Sequence, residues 1–412
     1  MDHRELIPHL FRTEARKIAA VLSKLFGIGN IGLAEDITGD TFLAAFETWP
    51  YKGIPENPTA WLYTVAKNKA RNYLKRHHLF INTIQKTIQS SVPTSEEPEI
   101  DLSEKNITDS QLQMLFAICH PCNTTEGQVG LALRILCGFG IEEIATAFLT
   151  NKETINKRLL RAKERLRAAR VAIELPPDKE IPDRLDSVLT TLYLLFNEGY
   201  YSESRDSIIR EELCLEAMRL TYLLLENSST NLPAVNGLMS LMCFHTSRLP
   251  ARKDKNGELV LYRDQDEALW NLDLISQGAF FLRAASQGDQ ISKYHLEAAI
   301  AFWHTQKDDT AEKWESILQL YNRLLQLEYS PIAALNRTFA LAKARTKEEA
   351  IVEAEELNLT GNHFYFALLG ELYTEIDDEK ALRHFSTAFT LAKTQADKST
   401  IQRKMEGLQK PP

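Results

Sequence analysis

The sequence lacks the features that would point to a membrane or secreted protein. It contains no stretch of 18 uncharged apolar residues, so no transmembrane helix is predicted. The first residues, Met1–Glu5, include acids and no apolar segment follows them, in contrast to a signal peptide. Five cysteines spread over 412 residues do not suggest a disulfide framework. These absences favour a protein of the reducing cytoplasm.

Strand-like alternation is also nearly absent, whereas apolar residues recur at the three- and four-residue spacing of helices. The predicted fold class is therefore all-α, with two or three domains on length alone. The net charge of −8 is uneven, because residues 1–175 hold 22 Lys and Arg against 20 Asp and Glu, and the remainder holds 26 against 36. Phosphate would repel the acidic second half, so only the first half is expected to bind nucleic acid.

Motifs for catalysis are missing as well. There is no glycine-rich phosphate loop, serine elbow or paired-histidine motif, so we predict neither an enzyme nor a cofactor. Polar residues near apolar helices of the second half are interpreted as a salt-bridge network, with a pocket for a small ligand or partner as the alternative. They are Asn197, Glu198, Asp206, Arg210, Arg248, Arg252, Asp264, Gln265 and Asp266.

A short cysteine and histidine cluster has a spacing that zinc sites can use. Cys119, His120 and Cys122 are followed by Cys137 fifteen residues further on. Cys137 lies in an apolar helical pattern, where free cysteine behaves as a small hydrophobe, and there is no second Cys-x-x-Cys. We therefore predict no metal site, and whether Cys119 and Cys122 bind anything stays open.

Composition divides the chain into four segments. Residues 1–80 form a helical block, and residues 81–107 are predicted to be a flexible acidic linker. The linker's middle, 90–99, is polar, acidic and contains two prolines, so it cannot bury a core. A second helical block covers 108–175. Residues 183–412 are predicted to be a helical extension.

The end of the extension has the pattern of a tetratricopeptide repeat. Helix pairs are predicted at about 292–327 and 331–357, and a third follows. In that third pair, the small Gly370 and Ala381 would let two helices pack closely. Its matching residues are Phe366, Leu369, Gly370, Tyr373, Ala381, Phe385 and Ala388. An ordinary helical bundle without repeats is the alternative.

Residues 140–170 have the layout of a helix-turn-helix. A short helix with an apolar face precedes a turn at Thr150 and Asn151, and a second helix follows. The apolar residues are Ile141, Ile144, Ala145 and Phe148 in the first helix, and Ile155, Leu159, Ala162 and Leu166 in the second. The small Ala145 lies where the partner helix must cross closely.

The outer face of the second helix is basic, with eight Lys and Arg against two acids between residues 151 and 170. Such a face neutralises DNA phosphates, although many basic helix faces only meet solvent. Together with the helix-turn-helix layout it predicts DNA binding by Lys152, Thr154, Asn156, Lys157, Arg158, Arg161 and Lys163. The first four are candidates for reading bases, whereas Arg158 and Arg161 are better placed for phosphates.

Two further helices in the first block lack a catalytic pattern but suit macromolecular partners. Residues 61–78 hold five basic residues and no acid, with aromatic and amide side chains between them, which suits melted DNA. The residues predicted to bind there are Trp61, Lys67, Asn68, Arg71, Asn72, Lys75 and Arg76, with a core position as the alternative for Trp61. The helix at 34–48 is acidic and aliphatic, which suits a basic helical partner.

These three segments, in this order, resemble extracytoplasmic-function sigma factors over roughly residues 1–173. The motifs are Glu35-Asp36 with Asp40-Thr41-Phe42, then Pro58 with Trp61-Leu62, Asn68 and Asn72, then Glu142-Glu143-Ile144-Ala145 with Thr154-Ile155, Arg158-Leu159 and Arg161-Ala162-Lys163. The resemblance implies sigma region 2 in 1–80 and region 4 in 108–175. It further implies that Glu35, Asp36, Asp40 and Phe42 contact core RNA polymerase. The other two motifs would bind the minus-ten and minus-thirty-five promoter elements.

One position departs from the family pattern. Gly39 stands where the family often has Gln, and glycine inside a helix costs about 1 kcal/mol relative to alanine. The extension resembles the tetratricopeptide-like extension of one sigma subgroup, on residues 193–200, 248–252, 264–266 and Trp270. That resemblance implies a regulatory extension, with a protein partner or small ligand that the sequence does not identify.

The expected partners are therefore core RNA polymerase and promoter DNA, without a membrane. One alternative is a helix-turn-helix regulator that senses a ligand or partner and acts without being a polymerase subunit, which leaves residues 34–78 without a purpose. Another is a helical-repeat scaffold whose first half has lost DNA binding.

Overall fold

The computed structural model describes residues 3–86, 100–148, 150–201, 207–252, 260, 264–306, 308–392 and 395–409. All regular secondary structure within these ranges is helical, which confirms the predicted all-α class. Among the same residues, no helix combines the length and apolar character that crossing a membrane requires. The chain divides into two compact units, unit 1 (Met1–Thr230) and unit 2 (Asn231–Pro412).

Unit 1 begins with a three-helix bundle whose core comes from small and aliphatic residues at helical spacing. The helices of unit 1 are α1 (His3–Phe26), α2 (Ile31–Lys52), α3 (Pro58–Lys86), α4 (Glu104–Ile118), α5 (Thr125–Leu131), α6 (Ile141–Ala147), α7 (Lys152–Ala168), α8 (Ile181–Tyr201) and α9 (Ser207–Glu226), of which α1, α2 and α3 form this first bundle. Leu62, Ala66 and Ala70, four residues apart on α3, are completely buried. Their short side chains let α3 approach α1 and α2, where Ile18 and Ala34 are equally buried.

The predicted linker is too long at both ends. α3 continues to Lys86, whereas 81–107 was the expected span. At the other end, Ile100 and Leu102 are buried in the core of the first bundle, and Ser103 caps α4 by accepting a hydrogen bond from the backbone N–H of Asn106. Apolar residues at the edge of a polar segment are therefore part of the fold. Residues 87–99 lie outside the described ranges.

The predicted extension does not begin a new unit. α8 and α9 pack in unit 1, on α4 and α5, although residues 183–412 were expected to form one domain. The buried side chain of Gln128 on α5 joins them, because its Oε1 accepts hydrogen bonds from Thr191 (2.8 Å) and Ser187 (3.1 Å) on α8. Arg184 also donates to the carbonyl of Phe116 at 2.9 Å. The boundary between units therefore lies near Thr230.

Unit 2 is a series of helices packed mainly on their neighbours in sequence. They are α10 (Pro233–Ser247), α11 (Leu272–Ala285), α12 (Lys293–Trp303), α13 (Ala311–Leu327), α14 (Pro331–Ala344), α15 (Lys347–Leu357), α16 (His363–Tyr373), α17 (Asp378–Leu391) and α18 (Gln395–Gln409). The predicted pairs correspond to α12–α13, α14–α15 and α16–α17. Gly370 packs on Phe385 so closely that an added Cβ would lie 2.7 Å from its ring. Assignment to the tetratricopeptide class stays a prediction.

Candidate nucleic-acid interface

α6 and α7 are joined by a short turn, and the residue before each helix determines where it begins. α6 starts after Gly140, whose backbone N–H donates to Glu143 at 2.6 Å. α7 starts after Asn151, whose side chain accepts a hydrogen bond from the backbone N–H of Thr154 at 2.8 Å. These bonds satisfy N–H groups that the first helical turn leaves without partners. The start of α7, where readout was predicted, is thereby fixed.

The two faces of α7 separate as the sequence predicted. Ile155, Leu159, Ala162 and Leu166 are buried. On the other face, the side chains of Lys152, Thr154, Asn156, Lys157 and Arg161 are exposed, whereas those of Arg158 and Lys163 are half-buried. Arg158 lies over the ring of Phe148 at 5.8 Å, a cation–π contact that orients the guanidinium. Lys152 pairs with Glu142, but both side chains are too exposed for this pair to hold firmly.

Lys163 differs from its neighbours on α7, because it points toward the first bundle instead of the exposed basic face. Its Nζ lies 2.5 Å from Oε2 of Glu35 on α2, and Nε of Arg134 donates to the other oxygen at 3.1 Å. A residue predicted to bind DNA and a residue predicted to bind polymerase are thus paired with each other. In this arrangement neither Glu35 nor Lys163 is available to its predicted partner.

α3 is anchored to α1 through its tyrosine. The hydroxyl of Tyr63 donates to Oε2 of Glu14 at 2.6 Å. Burial of the phenol, together with this contact to a carboxylate, raises the pKa of Tyr63 above its usual value. Trp61 is half-buried and packs on Trp49, so the core interpretation holds for part of its ring. The anchoring fixes which face of α3 meets solvent.

The solvent face of α3 carries most of the predicted minus-ten residues. The side chains of Asn68, Arg71, Asn72, Lys75 and Arg76 are exposed, and that of Lys67 is half-buried. Lys69 is 3.9 Å from Asp40 of α2. The cations and amides therefore form one strip, which we call the cationic strip of α3. It can follow a phosphate backbone and hydrogen-bond to unpaired bases.

The exposed face of α2 differs from the one expected. Asp36 and Asp40 are exposed, as a polymerase contact requires, but Phe42 is buried with its ring 5.1 Å from that of Phe11. Phe42 belongs to the core stripe of α2, and its predicted contact with polymerase is incorrect in this arrangement. Sequence reasoning missed Leu43 and Phe46, which are 54% and 61% exposed. Their spacing from Asp36 and Asp40 could have revealed them.

The cysteines occupy apolar surroundings. Cys119 and Cys137 are buried, and burial raises the pKa of both thiols, to about 12 for Cys119. Across the ranges that the structure describes, no three His, Cys, Asp or Glu side chains cluster in a way that could hold a metal. In unit 2, Arg248 is buried, donates to Gln265 at 3.3 Å and lies 5.6 Å from the ring of Trp270. Asp206, which was predicted to belong to the salt-bridge network, lies outside the described part of the chain.

Comparison with known families assigns the first helical bundle. Residues 10–79, which include α2 and the cationic strip of α3, match sigma-70 region 2. The first bundle therefore carries a sigma-70 region 2. Region 2 is the polymerase-binding region of sigma factors, and its presence explains residues 34–78. The regulator that acts without polymerase thereby loses its main support. The extracytoplasmic-function subtype stays a prediction.

Two further comparisons reach beyond region 2. Residues 184–286 match a family of unknown function, DUF6596, over the same segment that carried most of the resemblance to a sigma extension. Over 384 residues the chain is 32% identical to an uncharacterized protein of Rhizobium meliloti (strain 1021), covering 92% of this chain and 90% of the relative. The two proteins therefore share one family along nearly their whole length. No solved structure matches the chain.

Proposed function

We propose that this protein is a sigma factor that directs core RNA polymerase to specific promoters, with α3 at the minus-ten element and α6–α7 at the minus-thirty-five element. One observation carries the proposal. The chain exposes two separate cationic helix faces, one within sigma-70 region 2 and one outside it. Two such faces suit two separated stretches of one duplex, because each neutralises phosphates independently.

At the minus-ten element, α3 has the chemistry for melted DNA. Arg71, Lys75 and Arg76 follow the backbone, whereas Asn68 and Asn72 offer amide groups that can hydrogen-bond to the edges of unpaired bases. No acid lies between residues 61 and 78 to repel phosphate. Because the amides add hydrogen bonds to bases, this face is expected to bind single-stranded DNA more strongly than a helix face that has the same charge but no amides.

At the minus-thirty-five element, the exposed start of α7 reads the duplex. Asn156 can contact adenine through two hydrogen bonds, and Lys157 can contact guanine. Arg161 is one turn further along and suits a phosphate. The capping bond of Asn151 fixes the helix start, so these side chains project from a defined position.

The polymerase surface is the exposed face of α2, which we call the α2 ridge: Asp36, Asp40, Leu43, Phe46 and Glu47. The ridge combines carboxylates with two large apolar side chains. A basic helical surface of polymerase with an apolar groove would complement both, since apolar anchors supply affinity and the acids supply orientation.

The extension is proposed to tune the activity of the sigma factor in the cytoplasm, through a protein partner or small ligand. Support comes from α8 and α9, which pack directly on the helices of the DNA-binding part of unit 1. Arg219 on α9 donates to the carbonyl of Leu136 at 2.8 Å and to Gln111 at 3.4 Å. Because α9 also packs on α6, a change in the extension can reach the helix-turn-helix directly.

In vitro transcription with core polymerase on the DNA upstream of the gene tests the proposal. We expect specific transcripts with the wild-type chain, and at least a tenfold loss with the double variant Arg71→Ala and Arg76→Ala. Lys105→Ala removes an exposed cation of α4 and is the matched control. Failure of the chain to co-purify with core polymerase would contradict the proposal and favour a regulator that acts on duplex DNA alone.

A further inference from the structure

Three sets of polar contacts hold the two promoter-binding parts of unit 1 together. The first is centred on Glu35. Its two carboxylate oxygens contact Arg134 and Lys163, which lie on the π-helical turn Ala132–Leu136 and on α7. The side chains are between 20% and 31% exposed, so solvent screens them only partly. One acid of region 2 is thus saturated by two cations from the second block.

The second set includes a helix of the extension. Arg12 on α1 pairs with Glu143 on α6 at 3.1 Å and with Glu212 on α9. A single arginine of region 2 therefore binds an acid of the helix pair and an acid of the extension. Burial raises the pKa of Glu212, Arg12 opposes the rise, and the charge of Glu143 adds to it.

The third set is the most buried. Arg16 on α1 pairs with Glu216 on α9, and these side chains are only 13% and 16% exposed. Glu216 also accepts from Arg219 at 2.8 Å, and Arg219 donates in turn to the carbonyl of Leu136 in the second block. α9 therefore contacts region 2 and the second block at the same time.

The size of unit 1 shows that these contacts must break during promoter binding. A globular unit of 230 residues has a radius of gyration of about 17 Å, or a diameter of about 45 Å. The two promoter elements are centred about 25 base pairs apart, which is about 85 Å of duplex at 3.4 Å per base pair. α3 and α7 cannot reach both elements while they belong to one compact unit.

We infer that unit 1 as observed is the resting, closed form of the sigma factor, and that α9 of the extension is the interlock that holds it closed. The inference rests on the proposed function and adds its regulation. In the closed form Glu35 is bound by Arg134 and Lys163. Opening releases Glu35 to polymerase and Lys163 to DNA. The carboxylate of Glu35 therefore holds unit 1 closed in one form and contacts polymerase in the other.

The contacts also set the free-energy cost of opening unit 1. Exposed ion pairs contribute little to the stability of the closed form, whereas separating a half-buried pair costs more unless each charge finds a new partner. The apparent affinity of a closed protein for polymerase falls by the fraction of molecules that are open. Polymerase and promoter DNA, which bind only the open form, therefore shift the population, and a partner that moves α9 would do the same.

Distance measurement by double electron–electron resonance tests the closed form in the full chain. Spin labels are attached at Lys24→Cys on α1 and Ala168→Cys on α7, both exposed, in a Cys122→Ser background that removes the one cysteine that is not buried. We expect one short distance in the free protein. In the promoter complex with core polymerase, the distance should lengthen by an amount on the order of 40 Å, the difference between the two lengths above.

Charge reversal tests the interlock. Arg16→Glu places an acid beside Glu216 and should populate the long distance in the free protein. It should also lower the polymerase concentration for half-maximal transcription about tenfold, with maximal transcription unchanged. The double variant Arg16→Glu and Glu216→Arg preserves the net charge of the cluster and should restore both values. Circular dichroism confirms that each variant is folded.

The outcomes separate the inference from the proposed function. A long distance in the free wild-type chain, or a short one retained in an active promoter complex, overturns the closed form while the sigma activity stands. Unchanged distance and polymerase dependence in folded Arg16→Glu overturn the role of α9. Loss of transcription with every form, wild type included, would overturn the proposed function, and the inference with it.

Discussion

The indole ring of Trp61 packs edge-on against that of Trp49, with the ring centroids 5.4 Å apart and the planes at 65°. Trp49 is 2% exposed, whereas Trp61 is half-buried at the start of the cationic strip of α3. One edge of Trp61 therefore belongs to the core of region 2, and the remaining surface lies where the minus-ten DNA is proposed to bind. A side chain in this position couples the packing of α3 to its DNA-binding face.

Replacing Trp61 should separate these two roles. Trp61→Ala is expected to lower the free energy of unfolding by about 2–3 kcal/mol, because it removes an aromatic pair and part of its buried area. Trp61→Phe keeps a ring and should lose about half as much. Urea unfolding followed by circular dichroism measures both.

Promoter opening by the same variants is then measured with 2-aminopurine in the minus-ten DNA, at a temperature where all are folded. Opening should fall in the order wild type, Phe and Ala, because the stacking surface shrinks in that order. Equal opening by all three would restrict Trp61 to packing.

Gly39 offers a stabilising substitution. It is exposed inside α2, and an added Cβ would meet no atom within 4 Å. Gly39→Ala should therefore raise the free energy of unfolding by about 1 kcal/mol through helix propensity. The control is Gly53→Ala at the end of α2, where φ is +84°, so a side chain should cost about 1–2 kcal/mol. Destabilisation by Gly39→Ala in urea unfolding would contradict this account.

Much of the fold follows from the sequence because helical periodicity is local. The spacing of Ile155, Leu159, Ala162 and Leu166 predicts the buried face of α7, and all four are buried. The same pattern predicts the pair α16–α17, where Gly370 allows Phe385 to approach. Fold class, helix pairs and the exposed faces of α3 and α7 could therefore be predicted.

Contacts between residues far apart in the sequence could not be predicted. Lys163 was assigned to the DNA-binding face because its neighbours are basic, but its partner Glu35 is 128 residues away. Phe42 lies in a motif that was predicted to bind polymerase, yet its burial against the ring of Phe11 shows that it is a core residue. α8 and α9 were assigned to the extension because helical periodicity does not indicate which unit a helix packs against. Their packing depends on residues in other helices, such as Gln128.

The apolar part of the α2 ridge should dominate its affinity for polymerase. Phe46 is 61% exposed, so Phe46→Ala should cost little folding stability but weaken binding to core polymerase by about 2 kcal/mol, or about thirtyfold. Tyr222→Ala on α9 removes a similarly exposed aromatic ring, at 51%, and should leave binding unchanged. Titration of labelled core polymerase measures both. Equal affinities for Phe46→Ala and wild type would remove Phe46 from the interface.

Salt dependence should distinguish phosphate contacts from base contacts on α7. Arg161→Ala should weaken holoenzyme binding to all promoter sequences and reduce the slope of log K against log salt by about 0.9. Asn156→Ala should instead leave the slope unchanged and relax discrimination at one base by about 1–3 kcal/mol. Glu164→Gln, an exposed change on the same helix, is the control for altered charge. Identical salt slopes for wild type and Arg161→Ala would exclude a phosphate contact there.

His304 makes the stability of unit 2 sensitive to acid. Burial, together with the charges of Arg248 and Lys313, lowers the pKa of His304 to about 3. In the unfolded chain the pKa is about 6.5. Between these values the unfolded state binds a proton that the folded state does not, so stability falls as pH falls, by up to about 1.4 kcal/mol per pH unit.

His304→Phe isolates this contribution, because it removes the titrating group and keeps a ring against Trp314, whose centroid is 5.8 Å away. The thermal midpoint of wild type should fall more steeply than that of His304→Phe from pH 6.5 toward pH 4. Some slope should remain in the variant, because burial also lowers the pKa of His245 well below its usual value. Parallel curves for the two proteins would mean that His304 accepts a proton in the folded state, and hence that water or an acid reaches it there.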